Sequence, residues 1–321
     1  MKAAVVRELG RPPFYGDFEE PSAGPGETLV SVTASAVSLL ARSRAAGAHY
    51  SAAGGLPFVP GVDGVGRTPD GRRVFFAFPR HPFGSLATHV PVRSSCTADL
   101  PEGLDDTMAA GAANPGMSCW IPLTELAPVH AGESVLVNGA TGTAGRMAVQ
   151  VAKYLGASKV IATGRDETKL RELSALGADV GLSLRQPIEE FRDAVRQEAR
   201  EARIGVILDY LWGPSAEAIL RALEGPDSPR GAARVRYVEV GSVAAPTITL
   251  AGASLRSSGI ELLGTGLGSS TNETLVAGIG RFLQAFAQAR FRVDIAVHPL
   301  SEVEQVWNSV PPDKRLVFTV P

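Results

Sequence analysis

Apolar residues along the chain follow two different rhythms. Up to about residue 115 they form short β-branched runs, at 29–32, 74–78 and 86–92, each broken by Gly, Pro or Asp. Branched side chains suit a pleated surface and the breakers turn the chain, so this stretch predicts a mostly antiparallel, partly barrel-like domain. From Ser118 to about Leu250 the pattern changes to a short apolar run, a segment of helical length, and another apolar run. Strands are expected at 134–138, 159–163, 206–209 and 236–240, and helices at 146–155, 167–176 and 188–202. Such alternation requires crossovers, which give a parallel sheet covered on both faces. The tail adds a strand at 261–264, a helix at about 273–290 and a last strand at 315–320. Its first strand is expected to extend the parallel sheet, and its last to return to the N-terminal domain.

The predicted fold class is therefore α/β, a doubly wound parallel sheet at 118–255 inserted into a mostly β domain built from 1–117 and 256–321. That arrangement puts a cleft between the domains, where a small-molecule site is expected.

Composition narrows the function. A length of 321 residues suits two domains, and 45% hydrophobic with 20% charged residues is ordinary for a soluble enzyme. A net charge of −2, with Lys and Arg scattered along the chain, offers no electrostatic case for nucleic acid. The apolar start MKAAVV is cut short by Arg7 and Glu8, too early for a signal-peptide core. No uninterrupted apolar run reaches the ~18 residues of a membrane span. The two cysteines, Cys96 and Cys119, have no local partner, so no disulfide framework is implied and a cytoplasmic location is expected.

The segment SVLVNGATGTAGRMAVQVAKYLGA carries the functional argument. An apolar strand runs into Gly139, Ala140, Thr141, Gly142, Thr143, Ala144 and Gly145, and an amphipathic helix follows at once. Such a turn lets backbone come against a pyrophosphate and aims free helix N–H groups at its charge, while Gly145 allows close helix–strand packing. A glycine triplet alone is weak evidence in a chain with 35 glycines. Strand before, helix after and a second strand at the right distance make this a Rossmann-type dinucleotide turn.

The second strand ends in Thr163 and Gly164, followed by Arg165, with Lys169 one helical turn on. An NAD enzyme normally places Asp or Glu here for the ribose 2′-hydroxyl, and a carboxylate would repel a 2′-phosphate. Arginine pairs with that phosphate instead, so the expected cofactor is NADP(H). Asp166 and Glu167 are read as N-terminal acids of the next helix. The bland alternative makes Arg165 and Lys169 a solvated face.

No metal site is expected. Two cysteines cannot build a four-thiolate zinc site, and His49, His81, His89, His130 and His298 show no HxxxH or HExxH pairing. None of the five tyrosines is followed by Lys four residues later, as a short-chain dehydrogenase would want. A metal-free hydride enzyme must polarise its carbonyl with hydrogen-bond donors and take its proton from Tyr, Ser or water.

With these residues in hand, the chain resembles, over essentially its full length, the zinc-independent quinone oxidoreductase and enoyl reductase branch of the medium-chain dehydrogenase/reductase superfamily. Residues carrying the resemblance are the opening MKAAVV, Gly47-Ala-His-Tyr50, the stretch Leu56 to Gly66 with Gly61, Asp63 and Gly64, Gly84-Ser-Leu-Ala-Thr, Asn114-Pro-Gly-Met-Ser118 read as a helix start, the glycine turn, Gly177-Ala-Asp179, Asp209 and Val240-Gly-Ser242. The resemblance implies a GroES-like catalytic domain around the Rossmann domain, NADPH as cofactor, and a homodimer. Tyr50 would lie beside the nicotinamide as proton donor or carbonyl partner; a packing or surface aromatic is the alternative. Ser118 stands where the family often has a Thr near the cofactor, or else caps the helix it begins. Gly241 and Ser242 would line the nicotinamide side, and Arg315 replaces a C-terminal Lys near the cofactor. Asp209 is read first as a turn stabiliser. Departures are Ser38 and Ala41, where the family often has Asn and Asp, and Trp212 ahead of Gly213.

The expected reaction is hydride transfer from NADPH to a small electrophile, a quinone or an α,β-unsaturated carbonyl. An enoyl-thioester or 2-alkenal reductase is the nearest rival, separable by turnover of a quinone, an enone and an enoyl-CoA side by side. A non-catalytic NADPH-binding sensor is the rival from another class; it would bind NADPH strongly, and no electrophile of a broad panel would oxidise that NADPH.

Overall fold

The computed structural model describes residues 1–48, 55–224, 234–311 and 313–321. Tyr50 and His49 lie outside the described residues. By contact the chain divides into two units, 1–117 with 271–321 and 118–270.

Short strands β1 (Lys2–Val5) and β2 (Phe14–Asp17) pair antiparallel at the start of the first unit. The long strand β3 (Glu27–Ala36) is followed by helix α1 (Leu39–Ala45), then β4 (Asp63–Arg67), β5 (Arg73–Ala77), β6 (His89–Arg93) and β7 (Thr97–Asp99). Helix α2 (Asp106–Ile121) carries the chain out of this unit. Asp105 caps it by accepting from Thr107 N and Met108 N, and Pro115 sits inside it. The expected helix start at Asn114–Ser118 is therefore corrected. Pro115 reads in sequence as a first-turn residue, but the cap, Asp105, lies ten residues before it, and Gly116 lets Phe282 lie against the same segment. Ser118 consequently belongs to the last turn of the helix, so it does not cap its start.

The second unit alternates strictly: β8 (Ser134–Asn138), α3 (Thr143–Tyr154), β9 (Lys159–Gly164), α4 (Glu167–Glu172), β10 (Val180–Ser183), α5 (Ile188–Glu201), β11 (Ile204–Asp209), α6 (Gly213–Ala222), β12 (Val235–Glu239), α7 (Gly252–Ser258) and β13 (Ile260–Gly264). The tail follows as α8 (Asn272–Ala289), β14 (Ile295–Pro299), α9 (Val303–Val306) and β15 (Arg315–Thr319).

Among the described residues the second unit's sheet is six-stranded and wholly parallel, in the order β10-β9-β8-β11-β12-β13. Every residue of β8 and β11 is buried, so these strands read as unbroken apolar runs rather than alternating ones. One face is covered by α5 and α6, through Phe191, Val195, Ala216 and Ile219. Strand order reverses between β8 and β11, and the loops at their carboxyl ends open on the crevice where ligands of such sheets bind.

Among the described residues of the first unit a seven-stranded sheet runs β14-β15-β3-β4-β5-β7, with β6 also on β3. Its pairings are antiparallel except β14 with β15, and β15 joins β3. Its core gathers Val30, Val74, Phe76, Leu86, Trp307 and Phe318.

Several local expectations are revised. The single helix expected at 167–176 is α4 followed by a tight turn at Leu173–Leu176, closed by Gly177 at φ +106°. β10, β14 and α6 went unpredicted. The second boundary falls at 270/271 rather than 255/256, because β13 pairs along its whole length with β12. No helix among the described residues is long and apolar enough to cross a membrane.

Candidate functional site

The turn between β8 and α3 is built from glycines with separate duties. Gly139 sits at φ +89°, and a Cβ there would meet Leu211 Cγ at 2.8 Å. At Gly145 a Cβ would fall 2.6 Å from Ala140 Cα and closer still to Gly139 O, so helix and strand approach as closely as backbone allows. Gly142 differs from both. Its φ of −81° suits any residue, and a Cβ there would meet nothing within 4 Å. Gly142 begins α3 with no side chain capping the helix, and Thr143, Ala144 and Gly145 form its first turn. An uncapped N-terminus with open space above it has the chemistry of an anion cradle, and it fits a pyrophosphate.

Beneath this turn lies a closed hydrogen-bond network. Gly139 N donates to Thr163 Oγ1 at 3.0 Å, and the Thr163 hydroxyl donates to Asn138 Oδ1 at 2.7 Å. Ala140 N donates to Thr163 O at 2.8 Å. Thr163 is fully buried, so its side chain faces the turn and not a ligand. Thr141 lies over Gly164, where its Cγ2 takes the space a Cβ would need.

Arg165 emerges exposed directly after β9. Asp166 caps α4, accepting from Thr168 N at 3.0 Å and Lys169 N at 3.1 Å, so its carboxylate is engaged by that helix. Lys169 stands one turn on. Arg185, which the sequence reading did not single out, joins this group: its Nε donates to Arg165 O at 2.7 Å. It follows β10, the strand parallel to β9, and that pairing brings a residue twenty positions away beside Arg165. A basic residue just past the neighbouring strand was the available signal.

At the carboxyl end of β11, Asp209 is wholly buried and accepts four hydrogen bonds. Its donors are Asn138 Nδ2 at 2.7 Å, Leu211 N at 2.8 Å, Trp212 N at 3.1 Å and Tyr237 OH at 2.5 Å. Burial pushes its carboxyl up, and the Tyr237, backbone and Asn138 donors pull against that shift. Trp212 is held at φ +59°, ψ −159°, a conformation that costs a bulky residue ~1–3 kcal/mol. Ser118 lies 3.2 Å from the Tyr210 hydroxyl within the second unit. Burial drives the Tyr210 phenol well above its usual range, so it stays a neutral partner for Ser118. After β12, Gly241 N donates to Asp209 O at 3.2 Å, and Ser242 is exposed.

In the first unit Ser38 caps α1 by accepting from Ala41 N at 3.0 Å, and both residues are buried. The substitution of the family's polar pair has thus become local helix architecture. Asp63 and Arg315 each carry buried polar atoms with no hydrogen-bond partner among the described residues: Asp63 Oδ1, and Arg315 Nε and Nη2. Burial raises the Asp63 carboxyl to about 6 although the Arg315 charge opposes it. Among the described residues, no group of three or more His, Cys, Asp or Glu side chains gathers as a metal site.

Residues 144–277 match the family model for zinc-binding dehydrogenases. A probable NADPH-dependent quinone reductase of Emericella nidulans is 29% identical, covering 100% of both chains. The solved quinone oxidoreductase of Thermus thermophilus, studied also as its complex with NADPH, is 27% identical with a TM-score of 0.80, covering 99% of this chain and 100% of that one. The chain is thus similar over its full length to proteins of the quinone-reductase kind. The chain also resembles part of a phthioceranic/hydroxyphthioceranic acid synthase of Mycobacterium tuberculosis, at 30% identity over 70% of this chain. It spans only 10% of that synthase.

Proposed function

We propose that the chain belongs to the quinone-reductase branch of the medium-chain dehydrogenase/reductase superfamily and is a zinc-independent, NADPH-dependent reductase that passes hydride to a quinone or to the β-carbon of an α,β-unsaturated carbonyl. The observation that carries the reading is Gly142. Nothing among the described residues needs a glycine there, since φ is ordinary and they leave the space open. The requirement is met by a ligand whose phosphates come against the backbone at the head of α3.

Under this reading the N–H groups of Gly142–Gly145 hold the pyrophosphate, and Arg165, Lys169 and Arg185 surround the 2′-phosphate. Asp166 is committed to α4, so no carboxylate competes for that phosphate. Gly139 and Thr163 shape the turn from below, while Ser118, Gly241 and Ser242 border the nicotinamide end. Bound NADPH supplies the hydride. Hydrogen-bond donors stabilise the oxyanion that develops on the acceptor, and Tyr50 or water delivers the proton. Arg315, which the family resemblance assigns to the cofactor, has Asp63 as its charge partner within the first unit. A homodimer, on the strength of the family resemblance, and a cytoplasmic location, on the absence of a disulfide framework for Cys96 and Cys119, complete the proposal, and light scattering over a concentration series tests the dimer.

A second reading, reduction of an enoyl thioester, draws on the match to a segment of the synthase. Turnover of NADPH with a naphthoquinone, an enone and an enoyl-CoA in parallel separates the two. Rates highest with the quinone or enone support the first reading, and rates highest with the thioester support the second. Binding of NADPH without oxidation by any of the three would leave a sensor and contradict both. Stoichiometric zinc in the active protein would overturn the metal-free assignment.

A further inference from the structure

Two loops flank the switch point of the parallel sheet, one after β8 and one after β11, and a single carboxylate braces both. Asp209 Oδ1 accepts from Leu211 N and Trp212 N, which fixes the β11–α6 turn with Trp212 at its positive φ. The same oxygen accepts from Asn138 Nδ2 at 2.7 Å. Asn138 uses its other amide hydrogen on Ser215 Oγ at 2.9 Å, and its Oδ1 accepts the Thr163 hydroxyl. Thr163 in turn accepts from Gly139 N, the first residue of the glycine turn. Leu211 closes the circuit from the other side, lying on the space a Cβ at Gly139 would take.

The directions of these bonds follow from one charge. An ionised carboxylate only accepts, so Asn138 must face it with its amide nitrogen and turn its oxygen to Thr163. Thr163 must then spend its one proton on Asn138, leaving its lone pairs for Gly139 N–H. Asn138, Thr163, Asp209 and Tyr237 are all fully buried, so no water competes for these bonds. Tyr237 donates to Asp209 Oδ2 and thereby satisfies the oxygen that neither turn uses.

We infer that Asp209 is a positioning residue for dinucleotide binding: through Asn138 and Thr163 it holds Gly139, and through Leu211 and Trp212 it holds the opposite loop, so both sides of the switch-point crevice are set by one buried anion. The inference rests on the dinucleotide reading of the glycine turn. It extends that reading from the residues that would touch the ligand to those that act through them. Neutralising Asp209, or cutting the link at Thr163, leaves a buried donor unpaired and lets the turn relax away from the phosphate geometry.

The test uses the full chain, with NADPH affinity by calorimetry and KM and kcat for NADPH oxidation with a naphthoquinone. Asp209→Asn and Thr163→Val are each expected to raise the NADPH Kd and KM about tenfold, the scale of one orphaned buried donor, with kcat at saturating NADPH within about twofold. Thr163→Ser restores the hydroxyl and is expected to return both to within about twofold of the original. If Asp209→Asn does not fold, the Thr163 pair decides. A folded Thr163→Val chain with unaltered NADPH affinity overturns the inference, as does a loss equal in Thr163→Val and Thr163→Ser. If the unsubstituted chain itself binds no NADPH, the dinucleotide reading fails, and that result is distinct from a failure of the relay alone.

Discussion

Replacing Gly142 with alanine separates what the fold requires from what a ligand requires. Among the described residues a Cβ at this position meets nothing within 4 Å, and φ is −81°, so alanine enters without strain. Alanine is a poorer N-cap than glycine by several tenths of a kcal/mol, while the less flexible unfolded chain returns about 0.4–1 kcal/mol. These nearly cancel, and stability should stay within about 1 kcal/mol. The cost falls on binding. A methyl group at the mouth of α3 pushes a phosphate off the helix N–H groups, and each charge-assisted bond lost is worth about 1.5–3 kcal/mol. One such bond is roughly a 10- to 150-fold weaker Kd at about 1.4 kcal/mol per decade. Gly145→Ala is the contrasting control. Its Cβ would sit 2.6 Å from Ala140 Cα and nearer still to Gly139 O, both backbone atoms, so destabilisation of about 1–3 kcal/mol is expected. Thermal unfolding and NADPH calorimetry on both variants make the comparison. Gly142→Ala at full stability with unchanged NADPH affinity would refute the argument that a ligand explains this glycine.

Other perturbations reach different parts of the account. Arg165→Glu should weaken NADPH by about 10- to 150-fold while changing NADH affinity little, because only NADPH carries the phosphate that the arginine meets; equal effects on the two, by calorimetry, would remove Arg165 from the site. Tyr50→Phe should lower kcat and spare NADPH affinity, and undiminished turnover would exclude a chemical role for the phenol. Asp63 has a carboxyl raised from 3.8 to about 6, so the folded chain holds that proton more tightly than the unfolded one. Its stabilising contribution is present below about pH 4 and lost as pH rises through about 6. Relative to Asp63→Asn, the unsubstituted chain should lose about 2 kcal/mol of stability between about pH 4 and pH 7, since one pKa step is about 1.4 kcal/mol and part of the shift is already lost at pH 4. Urea unfolding at the two pH values measures this, and a difference independent of pH would contradict the buried, proton-holding Asp63.

The sequence announced the central sheet better than its edges. β8, β9 and β11 are covered on both faces, and full burial selects continuous apolar runs that stand out in a one-dimensional pattern. β10 is four residues with a glycine inside and little burial, so nothing in Val180–Ser183 demanded a strand. Helix α2 misled for a specific reason. Proline is common in a helix's first turn, and Pro115 drew the start toward itself although Asp105 supplies the cap.

The candidate site was legible where its chemistry is local. Gly139, Gly142 and Gly145 declare themselves by spacing, and Arg165 by what is absent beside it. What escaped notice was assembled across strands. Arg185 meets Arg165 only because β10 and β9 run parallel, and Asn138, Thr163 and Asp209 meet only at the ends of three neighbouring strands. Thr163 shows the gap most plainly: its place in the sequence marked the cofactor edge, while its hydroxyl points into the turn. Asp209 fulfils the turn-stabilising reading through Leu211 and Trp212, and extends it through Asn138 and Tyr237, which stand on the two strands beside its own.

The central claim is that an uncapped helix head, bared by Gly142 and flanked by arginine, binds NADPH. Isothermal titration of the purified chain with NADPH and, separately, NADH tests it most directly. Saturable binding with NADPH clearly the tighter ligand is the predicted result. No heat of binding with either nucleotide, from a chain shown to be folded, would contradict it.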